Sequence, residues 1–190
     1  MRISNLKMQE ITFSPSKALE SLLYLASKLQ DPDIHTLLKL RYFADKAHLS
    51  RYGFLASGDK YFAMQFGPVA SNTYNIIRAA RGEKNDWIHP AFIEAVNGNL
   101  EISKDNHKVK ALRKPNTELL SKADMECLDE AISEFGSMSF PERTAISHDA
   151  AWMTASEAAA NDGVDAGHMS VTSIAKTLSN REEILELLQN

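Results

Sequence analysis

A chain of 190 residues is long enough to bury one hydrophobic core, and 44% hydrophobic with 24% charged residues is typical of a folded globular protein. The net charge of -4 argues against nucleic-acid binding over the whole surface, and the single cysteine excludes an internal disulfide. Because the sequence shows neither a signal-peptide core nor a run of about 18 apolar residues, we expect a cytoplasmic protein that does not contact a membrane.

Two helices are predicted in the first part of the chain. The first begins at the capping residue Ser14 and ends before Asp31. The second is capped by Asp33 and closes near Gly53. Apolar residues cover most of its circumference, so we expect it to be central, with one narrow sector facing water; that sector contains His35, Lys39, Lys46 and Ser50.

Three ionisable residues lie inside the apolar arc of the second helix. Arg41, Asp45 and His48 follow one another at i, i+4 and i+7, which places them on one face. Charges on an apolar face need partners, so we expect a polar network that fixes the helix. An acid–base site built on His48 and Asp45 is the alternative.

Strand-like residues and a glycine–proline pair come next. Two short runs are predicted as strands, and in the second Phe62 and Phe66 share one face. Because Pro68 cannot donate to a sheet ladder, we expect the strand to end near Phe66 and to turn directly into a helix capped by Ser71 or Asn72. This corner lacks the glycines and the lysine of a phosphate-binding loop, so we interpret it as structural rather than as an anion site.

The remainder of the chain is predicted to add a small sheet and then more helices. Asn97-Gly98 is a hairpin signal, and residues 104–106 form a second turn. Further helices begin at the capping pairs Ser121 with Asp124, Ser139 with Glu142, and Ser179 with Glu182. The predicted fold class is therefore α+β: a predominantly helical single domain over residues 1–190 with a small antiparallel sheet or hairpin inserted.

Serine, histidine and aspartate stand side by side at residues 147–149. Adjacent side chains diverge on a helix, so a hydrolytic triad made of these three is not expected. We interpret His148 as a hydrogen-bonding residue at a helix end and Trp152 as a core anchor. A hydrolase using His148 and Asp149 with Asp59 or His48 is the alternative. The same residues show no metal-binding spacing, so neither a metal nor a cofactor is predicted.

The densest positive cluster lies at Lys108, Lys110, Arg113 and Lys114. Lysines of this kind commonly protect an edge strand from further pairing. The alternative is that they contact DNA, which would make the protein a regulator of its own operon. The acidic net charge and the lack of a clear helix-turn-helix pattern count against nucleic acid as a partner.

Two blocks of sequence resemble a known family. The first contains LLKLRYFADKAHLSRYG and SGDKYFAMQFGPVASNTYNII, within residues 16–82, and the second is ELLSKADMECLDEAISEFGSMSFPERTAISHDAAW, within residues 119–152. Together they resemble the Panacea domain of the SocA-like antitoxins, a family that also includes phage-associated GepA-like proteins. Residues 153–190 are less diagnostic. The matching motif positions are Tyr42, Asp45, His48, Gly58, Asp59, Tyr61, Met64, Gly67, Pro68, Val69, His148 and Trp152.

The resemblance implies a mostly helical bacterial protein that has no enzymatic activity and no cofactor. Members of the family neutralise varied toxins by direct contact, and at least one delivers its toxin to a ClpXP-type protease. The expected partners are therefore a cognate protein toxin and, in an adaptor mechanism, such a protease.

We expect the toxin to bind at the glycine–proline corner, because a rigid corner presents side chains at low entropic cost and a binding surface exposes apolar groups. The predicted contact residues are Tyr61, Gly67, Pro68, Val69 and Tyr74. The predicted structural polar network is Arg41, Asp45, His48, Asp59, His148, Asp149 and Trp152.

Overall fold

A computed structural model describes residues 12–83, 90–96, 98–103 and 107–189. Helices dominate and the strands form two small antiparallel sheets, so the chain is a mostly helical α+β single domain, as predicted. In chain order the elements are α1 (Pro15–Lys28), α2 (Ile34–Tyr52), β1 (Tyr61–Met64), β2 (Gly67–Ala70), α3 (Ser71–Ala80), α4 (Pro90–Val96), β3 (Leu100–Ile102), β4 (Val109–Ala111), a short 3-10 helix (Thr117–Leu119), α5 (Lys122–Phe135), α6 (Phe140–Ser147), α7 (Ala150–Asp162), β5 (Gly167–Met169), α8 (Val171–Ala175) and α9 (Arg181–Gln189).

Helix α2 is the centre of the core and packs against α1, α5, α6 and β2. Its start and end follow the predicted local signals. The Asp33 carboxylate accepts a hydrogen bond from the Thr36 N–H at 2.6 Å, and Gly53 ends the helix in the left-handed conformation with φ 81°. Leu37, Leu40 and other apolar side chains of the helix are fully buried.

The polar sector of α2 was expected to face water, and this expectation is wrong for Lys39, whereas His35, Lys46 and Ser50 are half-buried. Lys39 is only 1% exposed, because β2 and α6 cover it. Further along the same side, the Lys46 ammonium lies 2.8 Å from Asp149, and the Ser50 hydroxyl donates to Asn180 at 2.8 Å. The sector therefore contacts the last third of the chain, which provides polar partners for it.

The larger sheet has the strand order β2-β1-β5. Tyr61 pairs with Ala70 on one side and Met169 on the other, and Met64 pairs with Gly67 across a two-residue turn. The predicted direct passage from strand to helix at the glycine–proline corner is wrong, because Gly67–Ala70 is itself a strand. Proline is tolerated there because β2 is an edge strand, where the missing N–H breaks no ladder.

The third strand of this sheet was not predicted. No element was predicted for residues 167–169, yet they pair with Tyr61–Ala63 as β5. A three-residue strand carries almost no periodic signal of its own. It exists because its partner, about 100 residues earlier in sequence, supplies the hydrogen bonds.

Other local expectations had mixed outcomes. The first strand-like run is a loop, because the Ala56 N–H donates to the Asp45 carboxylate instead of a ladder. Helix α4 precedes Gly98, so the hairpin is made by β3 and β4 alone. Asn97 and the predicted turn at 104–106 lie outside the described residues. The final helix begins at Arg181, so its preceding residue is Asn180 rather than Ser179.

In the part of the chain that the structure describes, no helix has the length and apolar character needed to cross a bilayer.

Candidate functional site

Asp45 is the centre of a buried charge network on α2. Its Oδ2 accepts a hydrogen bond from the Tyr61 hydroxyl at 2.7 Å, and its Oδ1 accepts one from the Ala56 N–H at 2.9 Å. The Arg41 Nη2 lies 3.3 Å from the same Oδ1, and all of these side chains are buried. Burial raises the pKa of Tyr61, so its hydroxyl keeps the proton that it donates. We call Arg41, Asp45, Ala56 and Tyr61 the Asp45 network.

His48 lies one turn further along the same face and joins a loop and the first turn of α5 to α2. Its Nδ1 donates to the Phe54 carbonyl at 2.8 Å, and its Nε2 lies 3.4 Å from Asp124 Oδ1. Burial lowers the pKa of His48 despite the nearby carboxylate. Asp124 is the acidic residue of the predicted capping box with Ser121, and both reciprocal hydrogen bonds are present. His48 therefore contacts structural groups on both ring nitrogens.

Asp149 connects α2 with the start of α7. Its Oδ2 accepts from the Tyr42 hydroxyl at 2.7 Å and from the Lys46 ammonium at 2.8 Å, while its Oδ1 caps α7. His148 stacks on Trp152 with ring centroids 3.5 Å apart. The indole N–H of Trp152 donates to the Met64 carbonyl at 3.0 Å. These contacts fix α7 against both α2 and the β1–β2 hairpin.

Asp59 caps helix α3, although it lies well before this helix in sequence. Its carboxylate accepts from the Asn72 N–H at 2.9 Å, the Thr73 N–H at 2.8 Å and the Thr73 hydroxyl at 2.7 Å. The sequence analysis expected Ser71 or Asn72 to supply this cap, and that expectation is wrong. The chain's own carboxylate occupies the helix N-terminus, which removes the place where an external anion would bind.

The residues considered for a hydrolase or a metal site are not assembled into one. Asp59 and Asp149 each bind a different helix start, and His48 and His148 contact different elements. Over the described ranges, no three His, Cys, Asp or Glu side chains lie close enough together to hold a metal ion. The Ser147 hydroxyl donates to the Thr144 carbonyl at 2.9 Å, so it is not activated by the adjacent histidine.

A cavity of about 440 Å³ opens between the start of α2, the β1–β2 hairpin and α6, and we call it the α2 groove. Phe66, in the hairpin turn, is 51% exposed, and Phe140, the first residue of α6, is 41% exposed. Their ring centroids are 5.4 Å apart in an edge-to-face arrangement. Met64 is exposed beside them. The apolar lining comprises Ile34, Leu38, Met64, Phe66, Val69 and Phe140.

Lys39 also lines the α2 groove, although it is almost fully buried. Its Nζ donates to the Pro68 carbonyl at 2.7 Å. Gly67 adjoins the same amine, and a Cβ at that position would lie 2.9 Å from Lys39 Cε. Burial lowers the pKa of Lys39 to about 7. Within the described ranges, no carboxylate lies within ion-pair distance of this amine.

His35 forms the side of the α2 groove one helical turn before Lys39. Its ring centroid is 4.0 Å from that of Phe140, and its Nε2 is 3.1 Å from the Thr144 hydroxyl. Burial, followed by the charge of Lys39, lowers the pKa of His35 to about 4. His35 is therefore neutral at physiological pH.

The predicted contact residues are mostly not on the surface. Tyr61, Gly67, Pro68 and Val69 are buried and Tyr74 is half-buried, so the expectation that this set forms an exposed patch is wrong. The hairpin turns two residues earlier than expected, which buries β2 and exposes the turn. Gly67, Val69 and Tyr74 do line the α2 groove.

Three residues of the groove were not predicted as site residues: Phe66, Phe140 and Lys39. Phe66 was assigned to a strand face, although recognising Gly67 as the first residue of a second strand would have placed it in the turn. Phe140 lies at the start of a predicted helix, and its distance from Phe66 in sequence hides their contact. Lys39 carried no signal, because only the fold buries it.

The positive cluster at the end of the β3–β4 hairpin is partly neutralised. Lys108 Nζ lies 3.3 Å from Asp31, and Arg113 binds both oxygens of Glu20 at 2.8 and 2.5 Å. Glu20 itself is buried. These pairs use charges that DNA binding would need, so the DNA-binding alternative gains no support from this surface.

Comparison with known proteins identifies one family. A family model described as antitoxin SocA-like, Panacea domain, matches residues 37–153, which is more than half of the chain. The match extends from the first turn of α2 into α7, and so includes the Asp45 network and most residues of the α2 groove. No curated protein and no solved structure matches the chain.

Proposed function

The chain belongs to the SocA-like antitoxin family with a Panacea domain, and from this membership we propose that it neutralises a cognate protein toxin by binding it directly. The family match over residues 37–153 is the observation that carries the proposal. Neutralisation by contact requires a surface that can bind a protein, and it requires no catalytic group in the antitoxin.

The α2 groove supports a role in protein binding. Large exposed apolar side chains that lie together indicate an interaction site, whereas apolar residues scattered singly over a surface are normal. Phe66, Phe140 and Met64 form such a group, and aromatic residues beside a cavity are typical of binding hot spots. We therefore place the toxin contact at the hairpin turn and the first turn of α6.

Two modes of neutralisation are compatible with this proposal. The protein acts in the bacterial cytoplasm, either by covering the toxin's functional surface or by presenting the toxin to a ClpXP-type protease. Both modes begin with the same complex. They differ in the fate of the toxin, which persists in the first and is degraded in the second.

Co-expression with the protein encoded beside this gene tests the proposal. Induction of the neighbouring protein alone should stop growth, and co-induction of the full chain should restore it, with the two proteins recovered as one complex. Toxin levels in cells with and without ClpXP then separate occlusion from degradation. Growth arrest that persists, with no complex recovered, would overturn the proposed function.

A matched pair of variants tests the surface. Phe66→Ala should weaken the complex by about 30-fold or more, as expected for a hot-spot aromatic. Leu119→Ala removes a side chain of similar exposure, 46%, from a 3-10 helix outside the α2 groove, and should bind as the wild type does. Equal affinity of both variants would place the toxin contact elsewhere.

A further inference from the structure

Lys39 is a buried cation for which the described part of the chain supplies no counter-ion. Lysine is rarely fully buried unless it is paired, because an isolated charge loses its hydration without compensation. Its ammonium group has three N–H donors, and the structure shows one of them bound to the Pro68 carbonyl. Lys39, although 1% exposed, nevertheless lines an open cavity.

Arginine and histidine side chains lie on the elements packed against this amine. Helix α6 contributes Arg143, which is buried, and ends at His148. Arg81, at the end of α3, lines the α2 groove and lies 2.7 Å from His107 Nδ1. The β1–β2 hairpin contributes no ionisable side chain from Phe62 to Ala70.

Negative groups near the α2 groove are already engaged. Asp33 lines it, but Oδ1 of this residue accepts from both the N–H and the hydroxyl of Thr36 at the start of α2. Glu83 pairs with Arg78 at 2.7 Å and with Arg81 at 3.3 Å. Of the two cationic side chains that line the groove beside its apolar rim, Arg81 is thus paired with Glu83, and Lys39 has no carboxylate partner within the described ranges.

We propose that the α2 groove receives a segment of the toxin in which a large apolar side chain is followed by a carboxylate. The apolar side chain packs on Phe66 and Phe140, and the carboxylate supplies the counter-ion that Lys39 lacks. This inference rests on the antitoxin function proposed above and specifies the chemistry of its partner. Charge complementarity at a site shielded from water gives selectivity for acidic segments over neutral ones.

The position of Lys39 makes this binding proton-linked. With a pKa lowered by burial to about 7, the amine is about half neutral at neutral pH. A carboxylate in the groove raises that pKa, so binding takes up protons above pH 7 and affinity falls as the pH increases. Burial, followed by the charge of Lys39, also lowers the pKa of both His35 and His148, so neither histidine charges in this range.

Calorimetric titration of the full chain with the toxin tests the inference. The dissociation constant should rise with pH above about 7, by up to about tenfold per unit, and titrations at about pH 8 in two buffers of different ionisation enthalpy should show uptake of nearly one proton. Lys39→Met should weaken binding by about 30-fold or more and abolish the proton uptake. Lys122→Met removes the same charge from an exposed position on α5 and should leave both unchanged.

Two results would overturn the inference. One is a Lys39→Met variant that is folded and binds with wild-type affinity. The other is a wild-type titration without proton uptake. This result would overturn the inference even if the Lys39→Met variant does not fold.

A peptide probe separates this inference from the proposed function. A capped peptide of alternating phenylalanine and glutamate should shift the NMR signals of Phe66 and Phe140 in the full chain, and its glutamine counterpart should bind more weakly. If the toxin is not bound but the acidic peptide is preferred in a Lys39-dependent way, the antitoxin function fails and the groove chemistry stands. Equal binding of both peptides would refute the groove chemistry.

Discussion

Helix α2 buries a basic side chain in each of two regions, and the two side chains have different partners. In the Asp45 network, the guanidinium of Arg41 has a carboxylate counter-ion, and that carboxylate also accepts hydrogen bonds from Tyr61 and Ala56. In the α2 groove, the hydrogen-bond partner that the described residues give to the ammonium of Lys39 is a backbone carbonyl. The two groups lie two residues apart in sequence, so the difference comes from what the rest of the chain brings to each side.

On the inference above, the difference separates a charge that holds the fold together from one that pairs with a carboxylate of the partner. A buried pair is costly to break, because removing one member leaves the other without solvation. A buried cation without a counter-ion destabilises the free protein. A carboxylate that reaches this cation forms the ion pair that the fold itself does not provide. Burial alone therefore does not distinguish a structural charge from a functional one, whereas the presence of a counter-ion does.

The largest effect is expected from Asp45→Ala. The substitution strands the Arg41 guanidinium, the Tyr61 hydroxyl and the Ala56 N–H in the core, so it should lower the free energy of unfolding by about 3–5 kcal/mol. Urea unfolding followed by circular dichroism measures this loss. The control is Glu126→Ala, which breaks an exposed pair with Lys122 at 3.6 Å and should change stability by less than about 0.5 kcal/mol. Similar losses for both variants would mean that the Asp45 network does not stabilise the fold.

A pH-dependent effect is expected from Lys39→Met. The folded protein holds the pKa of Lys39 at about 7, below the value of 10.5 expected in the unfolded chain. Between these values the unfolded state binds more protons, so the wild type should gain stability as pH rises, by roughly 1.4 kcal/mol per unit and about 2 kcal/mol between pH 7 and 9. The variant should lack this increase.

Urea unfolding of both proteins across this pH range provides the measurement. Lys39→Met also removes the donor to the Pro68 carbonyl, which adds a constant loss of about 1–3 kcal/mol that does not depend on pH. The diagnostic quantity is therefore the slope of the stability difference against pH. Parallel curves would show that Lys39 is charged in the folded protein at all these pH values and that its burial is compensated.

A smaller effect is expected from Asp59→Ala. This carboxylate is buried like Asp45, but it binds backbone N–H groups at the start of α3 rather than a cation. Loss of such a cap should cost about 1–2 kcal/mol by urea unfolding. Asp59→Asn keeps one acceptor oxygen and should give an intermediate value. A loss as large as that of Asp45→Ala would show that the cap is as important as the buried ion pair.

The sequence predicts the parts of this molecule that depend on neighbours along the chain. Ser14, Asp33 and Gly53 begin or end helices where they were expected to, and Ser121 with Asp124 forms the predicted capping box. Each of these contacts spans a few residues, so residue type and spacing specify it. Of the two predicted turns, the one at residues 104–106 lies in sequence between β3 and β4, which pair as a hairpin, whereas helix α4 precedes the other at Asn97-Gly98.

The parts that were not predicted depend on partners distant in sequence. Strand β5 requires β1, the cap of α3 comes from Asp59, and the burial of Lys39 requires β2 and α6. The glycine–proline pair was correctly interpreted as incompatible with a central strand, yet an edge strand satisfies the same restriction. For the candidate site, the sequence drew attention to the glycine–proline corner but not to the hairpin that it forms, because the turn at residues 65–66 places Gly67–Ala70 in the buried strand β2.

The smallest effect on stability is expected from Phe66→Ala, although this variant should strongly impair toxin binding. About half of the Phe66 side chain is exposed to water, and its ring packs edge to face on that of Phe140 with the centroids 5.4 Å apart. Removing this side chain should therefore lower the free energy of unfolding by less than about 1 kcal/mol. Leu119→Ala, at similar exposure, gives the reference loss for an exposed apolar residue. A loss near 3 kcal/mol, the range of a core phenylalanine, would show that Phe66 anchors the hairpin in the fold. In that case weakened binding by the variant would report a damaged hairpin, and the assignment of the α2 groove as the contact surface would lose its main support. A small loss of stability together with a large loss of affinity would instead separate the two regions of α2: the Asp45 network holds the fold, and the α2 groove holds the toxin.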